Sequence, residues 1–173
     1  PPPPSGCGSS LQSLVNAAPS GGTISVSGCT YHETVTVNKP LTIFGGGSTV
    51  TGDNTRTYAF VVGANDVTLD GFTVTATTNP AQEGAVHARN SSRFTFRNGH
   101  IHHAGGACIS IGGGSGHKVL NSELDNCAQA GFHGTAMTDS LYAGNKIHHN
   151  NPNRAFDPGW EAGAGKVTNS SRI

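Results

Sequence analysis

Residues 94–150 read FTFRNGHIHHAGGACISIGGGSGHKVLNSELDNCAQAGFHGTAMTDSLYAGNKIHHN, and one pattern of apolar side chains runs through them three times. Phe94-Thr95-Phe96 alternates with the two-residue period of a strand buried on one face. Phe96 and Ile101, Val119 and Leu124, and Tyr142 and Ile147 are pairs of the same spacing, each set 23 residues after the last. A step of 27 residues upstream brings Leu69 and Val74 into the same register, and Val86, Ile109 and Phe132 make a third column. A repeat this short has no core of its own. Its apolar face is buried only when neighbouring copies stack on it, which makes the chain a solenoid of short strands.

Backbone geometry supplies a second test of the register. A tight turn between such strands needs positive φ, which glycine and asparagine adopt most cheaply. Gly45, Gly71, Asn98, Asn121 and Gly144 fall in one column, and all five belong to those two types. The fold class that follows is all-β: a right-handed parallel β-helix of about five coils over residues 23–173. An antiparallel sandwich would not require this period. Ahead of the coils, Ser9 or Ser10 can cap a helix whose Leu11, Leu14, Val15 and Ala18 form one apolar face, ended by Pro19-Ser20-Gly21-Gly22. Residues 7–22 are therefore expected to cover the open end of the first coil. Residues 1–6, which begin with four prolines, read as a linker.

Composition agrees with a thin, repetitive core, since only 34% of the chain is hydrophobic and 25 residues are glycine. Lysine plus arginine equals aspartate plus glutamate at 10 each, which leaves no basic field for nucleic acid. No apolar run approaches the roughly 18 residues of a membrane span. Cys7, Cys29, Cys108 and Cys127 lack the paired spacing of zinc sites, and their even number suits two disulfides, Cys7–Cys29 and Cys108–Cys127. An oxidising, extracellular or cell-surface location is expected on that ground. Residues 163–172 repeat the pattern of residues 84–93, which puts Lys166 at the place of His87 and Ile173 at that of Phe94. Ile173 then lies partway through a coil. The chain is expected to be part of a longer β-helix whose open last coil favours self-association.

Gly28-Cys29-Thr30-Tyr31-His32-Glu33-Thr34-Val35-Thr36-Val37, following Thr23-Ile24-Ser25-Val26, resembles the opening of pectin-lyase-like β-helix proteins. Pro158-Gly159-Trp160-Glu161-Ala162-Gly163-Ala164-Gly165-Lys166 is similar to a segment of secreted bacterial right-handed β-helix repeat proteins. The resemblance implies a polysaccharide ligand or substrate. It covers polysaccharide lyases, glycoside hydrolases, pectin esterases, uronate epimerases and non-catalytic adhesins, so it narrows the substrate more than the chemistry. Asp157-Pro158 continues as Gly159-Trp160, without the Asp-Pro-His-Tyr motif of the alginate epimerases.

Candidate site residues come from irregularities in the register. The step from Val74 to Val86 is four residues longer than the equivalent step from Ile101 to Ile109, and that from Ile147 to Gly165 ten longer. Two loops, about 75–85 and 150–162, should therefore rise as walls on either side of two plain coils floored by Ala104-Gly105-Gly106-Ala107 and Ala128-Gln129-Ala130-Gly131. The cleft would be on the order of 14 Å wide at ordinary strand spacing. Beside it the outward column His87, Ser110, His133, Lys166 offers proton-transfer groups, with Lys166, His133 and His87 the catalytic candidates. Arg154, Asp157, Trp160 and Glu161 are the substrate-binding candidates: an arginine for a uronate carboxylate, an indole for a sugar face, and two carboxylates for calcium or for hydrolysis. His102, Asp125 and His148 form another column, suited either to a divalent metal or to plain ladder pairing. The expected activity is β-elimination on an acidic polysaccharide, with glycoside hydrolysis or non-catalytic carbohydrate binding as alternatives.

Overall fold

The structure, a computed structural model, describes residues 7–173; the expected linker at 1–6 lies outside them. Six coils of three strands each follow a single helix, α1 (Leu11–Ala17). The first coil is β1 (Gly22–Ser25), β2 (Thr30–Tyr31) and β3 (Val35–Val37), and the second β4 (Leu41–Phe44), β5 (Thr49–Thr51) and β6 (Phe60–Val62). The third is β7 (Val67–Asp70), β8 (Thr73–Thr77) and β9 (Gly84–Arg89), and the fourth β10 (Thr95–Arg97), β11 (His100–Ala104) and β12 (Ala107–Gly112). The fifth is β13 (Lys118–Leu120), β14 (Glu123–Asp125) and β15 (Ala130–Thr135), and the sixth β16 (Leu141–Ala143), β17 (Lys146–His148) and β18 (Gly163–Thr168). Every third strand is a neighbour. Three six-stranded parallel sheets result, one through β1 and β16, one through β2 and β17, one through β3 and β18; the architecture is a right-handed parallel β-solenoid.

The register is the one the repeat predicts. Val74, Ile101, Leu124 and Ile147 pair in sequence across the second sheet, Leu69, Phe96, Val119 and Tyr142 across the first, and Val86, Ile109 and Phe132 across the third. These inward columns are the core: Leu69, Phe96, Ile101, Ile109 and Leu124 are fully buried. Gly71, Asn98, Asn121 and Gly144 take positive φ between 48° and 73°, as expected at the turn from the first sheet to the second. Gly45 does not. The turn after Phe44 is two residues longer than the one after Asp70, so positive φ moves to Gly46 and Gly47. Gly45 is instead required by size, since a Cβ there would lie 2.7 Å from the Phe72 ring.

The helix caps the first coil through specific bonds. Ser10 is its N-cap, with the side chain accepting the N–H of Ser13. Glu33 accepts the N–H groups of Leu11 at 2.7 Å and Gln12 at 3.2 Å. The Gln12 amide then takes the place of a missing strand: its Oε1 accepts the N–H of Thr36 at 2.6 Å and its Nε2 donates to the Thr36 carbonyl at 3.2 Å. The edge of β3 is thereby satisfied, and Leu11 and Val15 bury the apolar end. Two disulfides, Cys7–Cys29 and Cys108–Cys127, pin the segment before α1 to the first coil and join β12 to the fifth coil. They point to a non-cytoplasmic environment. Among the described residues no helix is long and apolar enough to cross a membrane.

Candidate functional site

The third sheet turns its inward residues to the core and leaves alternate residues facing out. His87, Ser110, His133 and Lys166 stack in register on β9, β12, β15 and β18. Two strand positions on from His87, Arg89 joins the same outer face. A pocket of about 180 Å³ opens here, lined by Arg89, Ser110, His133, Lys166, Gln82 and Thr135 among others. Arg89 donates to Glu83 Oε1 at 3.0 Å. It was not among the residues singled out from the sequence, although two-residue alternation from His87 was signal enough to find it.

The two histidines of the column differ. His87 sits behind Ser110, whose Oγ lies 2.8 Å from His87 Nδ1 and also accepts the N–H of Gly84 at 2.7 Å. Tyr58, from the loop between β5 and β6, stacks on the His87 ring with centroids 4.9 Å apart, and its hydroxyl donates to Glu83. Burial pushes the Tyr58 phenol up to about 12, with Glu83 adding to it. His87 is thus enclosed, and burial followed by the charge of Arg89 holds its pKa below the ordinary value. His133 is also lowered, first by burial, then by Lys166 and Arg89. Unlike His87, its side chain has no hydrogen-bond partner among the described residues. An imidazole whose pKa is lowered by burial and by two nearby cations, and which faces a pocket, keeps an unprotonated ring nitrogen available as a base.

Trp160 of the loop 149–162 reaches this face. Lys166 Nζ donates to the Trp160 carbonyl at 3.2 Å and lies 5.4 Å from the centre of its ring. The indole is 75% exposed, so it is not packed beneath its own loop. The other loop candidates are placed differently. Asp157 is occupied by turn bonding, its Oδ1 accepting the N–H of Gly159 at 2.8 Å and its carbonyl those of Trp160, Glu161 and Ala162. Arg154 lines a separate pocket with Asn150, Asn151, Pro158, Ala162 and Gly163.

The two-walled cleft does not form as expected. The loop 78–83 lies down over the fourth coil rather than standing beside it. Asn79, 1% exposed, accepts from Thr77 and from the N–H of Gly105, and donates to the carbonyls of Glu83 and Ala107. Gln82 N–H then donates to Gln129 Oε1 on the fifth coil at 2.5 Å. Gly105 and Gly106 are small to admit this loop, since a Cβ on Gly106 would stand 2.2 Å from the Pro80 carbonyl oxygen. At the fourth and fifth coils the open surface is therefore the outer face of the third sheet, not the corner before it.

His102, Asp125 and His148 stack in register on the second sheet, but their donor atoms do not converge. Asp125 accepts from His100 Nε2 at 2.5 Å and from Asn126. His148 Nε2 pairs with Glu123 at 2.8 Å, and His102 Nδ1 faces Thr75 and His103. Hydrogen bonds from Lys146 and His148 hold the Glu123 carboxyl down at about 2. Among the described residues no three or more His, Cys, Asp or Glu side chains gather around a point where a metal would sit, and that includes Asp157 and Glu161.

Comparison with known proteins adds one positive finding. The family described as right handed beta helix region matches residues 83–173. No curated protein and no solved structure matches the chain. The matched segment is more than half of the 173 residues and contains β9 through β18, the strands that carry the stacked histidines and Lys166; the chain belongs to the right handed beta helix region family.

Proposed function

We propose that the chain is a polysaccharide-active β-helix protein that cleaves an acidic, uronate-containing glycan by β-elimination on the outer face of its third sheet. The observation that carries this reading is His133, an unpartnered imidazole set between Arg89 and Lys166 in a pocket. In the elimination, His133 removes the proton next to the uronate carboxylate, the electron pair forms the new carbon–carbon double bond, and the glycosidic oxygen leaves with a proton from Lys166. Arg89 neutralises the carboxylate as negative charge develops on it. Exposed Trp160 supplies a stacking platform for the next sugar.

The test is a panel of uronate and neutral polysaccharides followed by near-ultraviolet absorbance of the unsaturated product. Absorbance should rise on a uronate polymer, and His133→Ala should lower the rate roughly 10²–10⁴-fold. Glycan retention with no product on any uronate polymer would replace this reading with a binding module.

A further inference from the structure

Six histidines lie on the outer face of the second sheet or at the corner that follows it: His32 in the first coil, held 2.8 Å from Asp53, His100, His102 and His103 in the fourth, and His148 and His149 in the sixth. A regular strand sends consecutive side chains to opposite faces. Here the backbone enters the left-handed region at His103 (φ 53°) and at His149 (φ 50°), directly after an outward residue. Two consecutive imidazoles are thereby brought together. In both pairs Nδ1 faces Nδ1 at 2.6 Å, between His102 and His103 and between His148 and His149. The fifth coil makes the same turn with Asp125-Asn126, Asn126 having φ 51°. One geometry has thus been built twice, two coils apart.

Two nitrogens at this separation share one proton, so each pair turns at least one lone pair inward. In the sixth coil a further group sets which one. Glu123, already paired with Lys146 at 2.7 Å, lies 2.8 Å from His148 Nε2 and as a carboxylate only accepts. Nε2 of His148 therefore carries the proton and Nδ1 presents its lone pair to His149. A carboxylate behind one ring nitrogen is the arrangement that orients imidazoles whose other nitrogen binds a metal.

We propose that His148 with His149, and His102 with His103, each chelate one divalent late transition metal through their paired Nδ1 atoms, Cu²⁺ in preference to Zn²⁺. Two nitrogens about 2.0–2.1 Å from a metal are roughly 2.9 Å apart at a right angle and roughly 3.3 Å apart at the tetrahedral angle. The pairs must open by about 0.3 Å for square-planar coordination and by more than twice that for tetrahedral. Affinity for a given nitrogen site also peaks at Cu²⁺. With no third His, Cys, Asp or Glu gathered at either pair among the described residues, and Thr75 Oγ1 3.1 Å from His102 Nδ1 as the nearest other side-chain donor at the fourth-coil pair, water fills the remaining positions.

Calorimetric titration of the untagged chain with Cu²⁺ and with Zn²⁺ tests this, together with electron paramagnetic resonance of the copper form. Two Cu²⁺ per chain are expected, each with the hyperfine signature of two nitrogens. His103→Ala and His149→Ala should each remove one equivalent, and Glu123→Gln should weaken only the sixth-coil site, by about 10–100-fold. Undiminished copper uptake in the His103→Ala/His149→Ala double variant, no saturable uptake by the parent chain, or Zn²⁺ bound as tightly as Cu²⁺ would each overturn the assignment.

Discussion

His133 and His87 occupy the same column two coils apart, yet only His133 faces the pocket with both ring nitrogens free of side-chain partners. The charge of Lys166 is one of the causes that depress its pKa. A general base works only when deprotonated, so activity should fall as pH drops through the His133 pKa. That acid limb is expected below the ordinary histidine value of about 6.5. Lys166→Met removes a neighbouring cation and should move the limb to higher pH, whatever it does to the maximal rate. A pH–rate profile of kcat/KM for both proteins checks this; an unmoved limb would mean that a group other than His133 is titrating. The proton-transfer column was readable from the sequence because the repeat places its members by simple counting. The partner of Tyr58 and the enclosure of His87 were not, because they depend on where a loop of the preceding coil comes to rest.

Among the elements, the loop 78–83 shows the limit of counting most clearly. Its insertion was legible as four extra residues, but its direction was set by packing against glycines in the next coil. Gly106→Ala should push the Pro80 carbonyl away and destabilise the protein by about 1–3 kcal/mol, the ordinary cost of overpacking a filled site. Thermal unfolding would show a Tm lowered by several degrees. An unchanged Tm would mean that the loop lifts from the fourth coil freely. Gln129→Ala, which deletes the acceptor for the Gln82 N–H, should raise protease sensitivity within residues 78–83 while leaving the coils intact. The capping helix was predicted from its apolar periodicity. That Gln12 completes the edge of β3 was not, because a side chain imitating a strand leaves no periodic trace.

At the scale of the whole molecule, burial holds His87, His102, His117 and His133 below the ordinary histidine value. The unfolded chain therefore binds protons first as pH falls, and stability should decline from about pH 6.5 downward. His117 strengthens the effect: it is 1% exposed, and its Nδ1 has no partner among the described residues. Paired carboxylates such as Glu123, held low chiefly by Lys146, extend the loss to lower pH. Tm measured from pH 7 to pH 4 should fall throughout; a flat profile between pH 7 and pH 5 would contradict the histidine contribution. Along the axis, the last coil leaves inward-facing Val167 38% exposed, and Ile173 beyond it is 49% exposed. We propose that the 173-residue chain associates through this end, so that sedimentation should detect a concentration-dependent dimer and Val167→Lys should weaken it. A monomer at all concentrations would reject this.

The sequence by itself determined the period, the three apolar columns, the turn residues other than Gly45, and the stack of His87, Ser110, His133 and Lys166. Each follows from a local rule repeated along the chain: alternation across a strand, positive φ at a turn, and burial only between neighbouring coils. Tertiary structure alone decided which face is open. Glu83 comes to rest beside Arg89, the corner cleft is covered by the loop 78–83, and consecutive histidines meet at two corners. Those outcomes depend on the direction in which an irregular segment or a left-handed residue turns the chain. No repeat encodes that direction, because it is set by contacts between residues that periodicity does not relate.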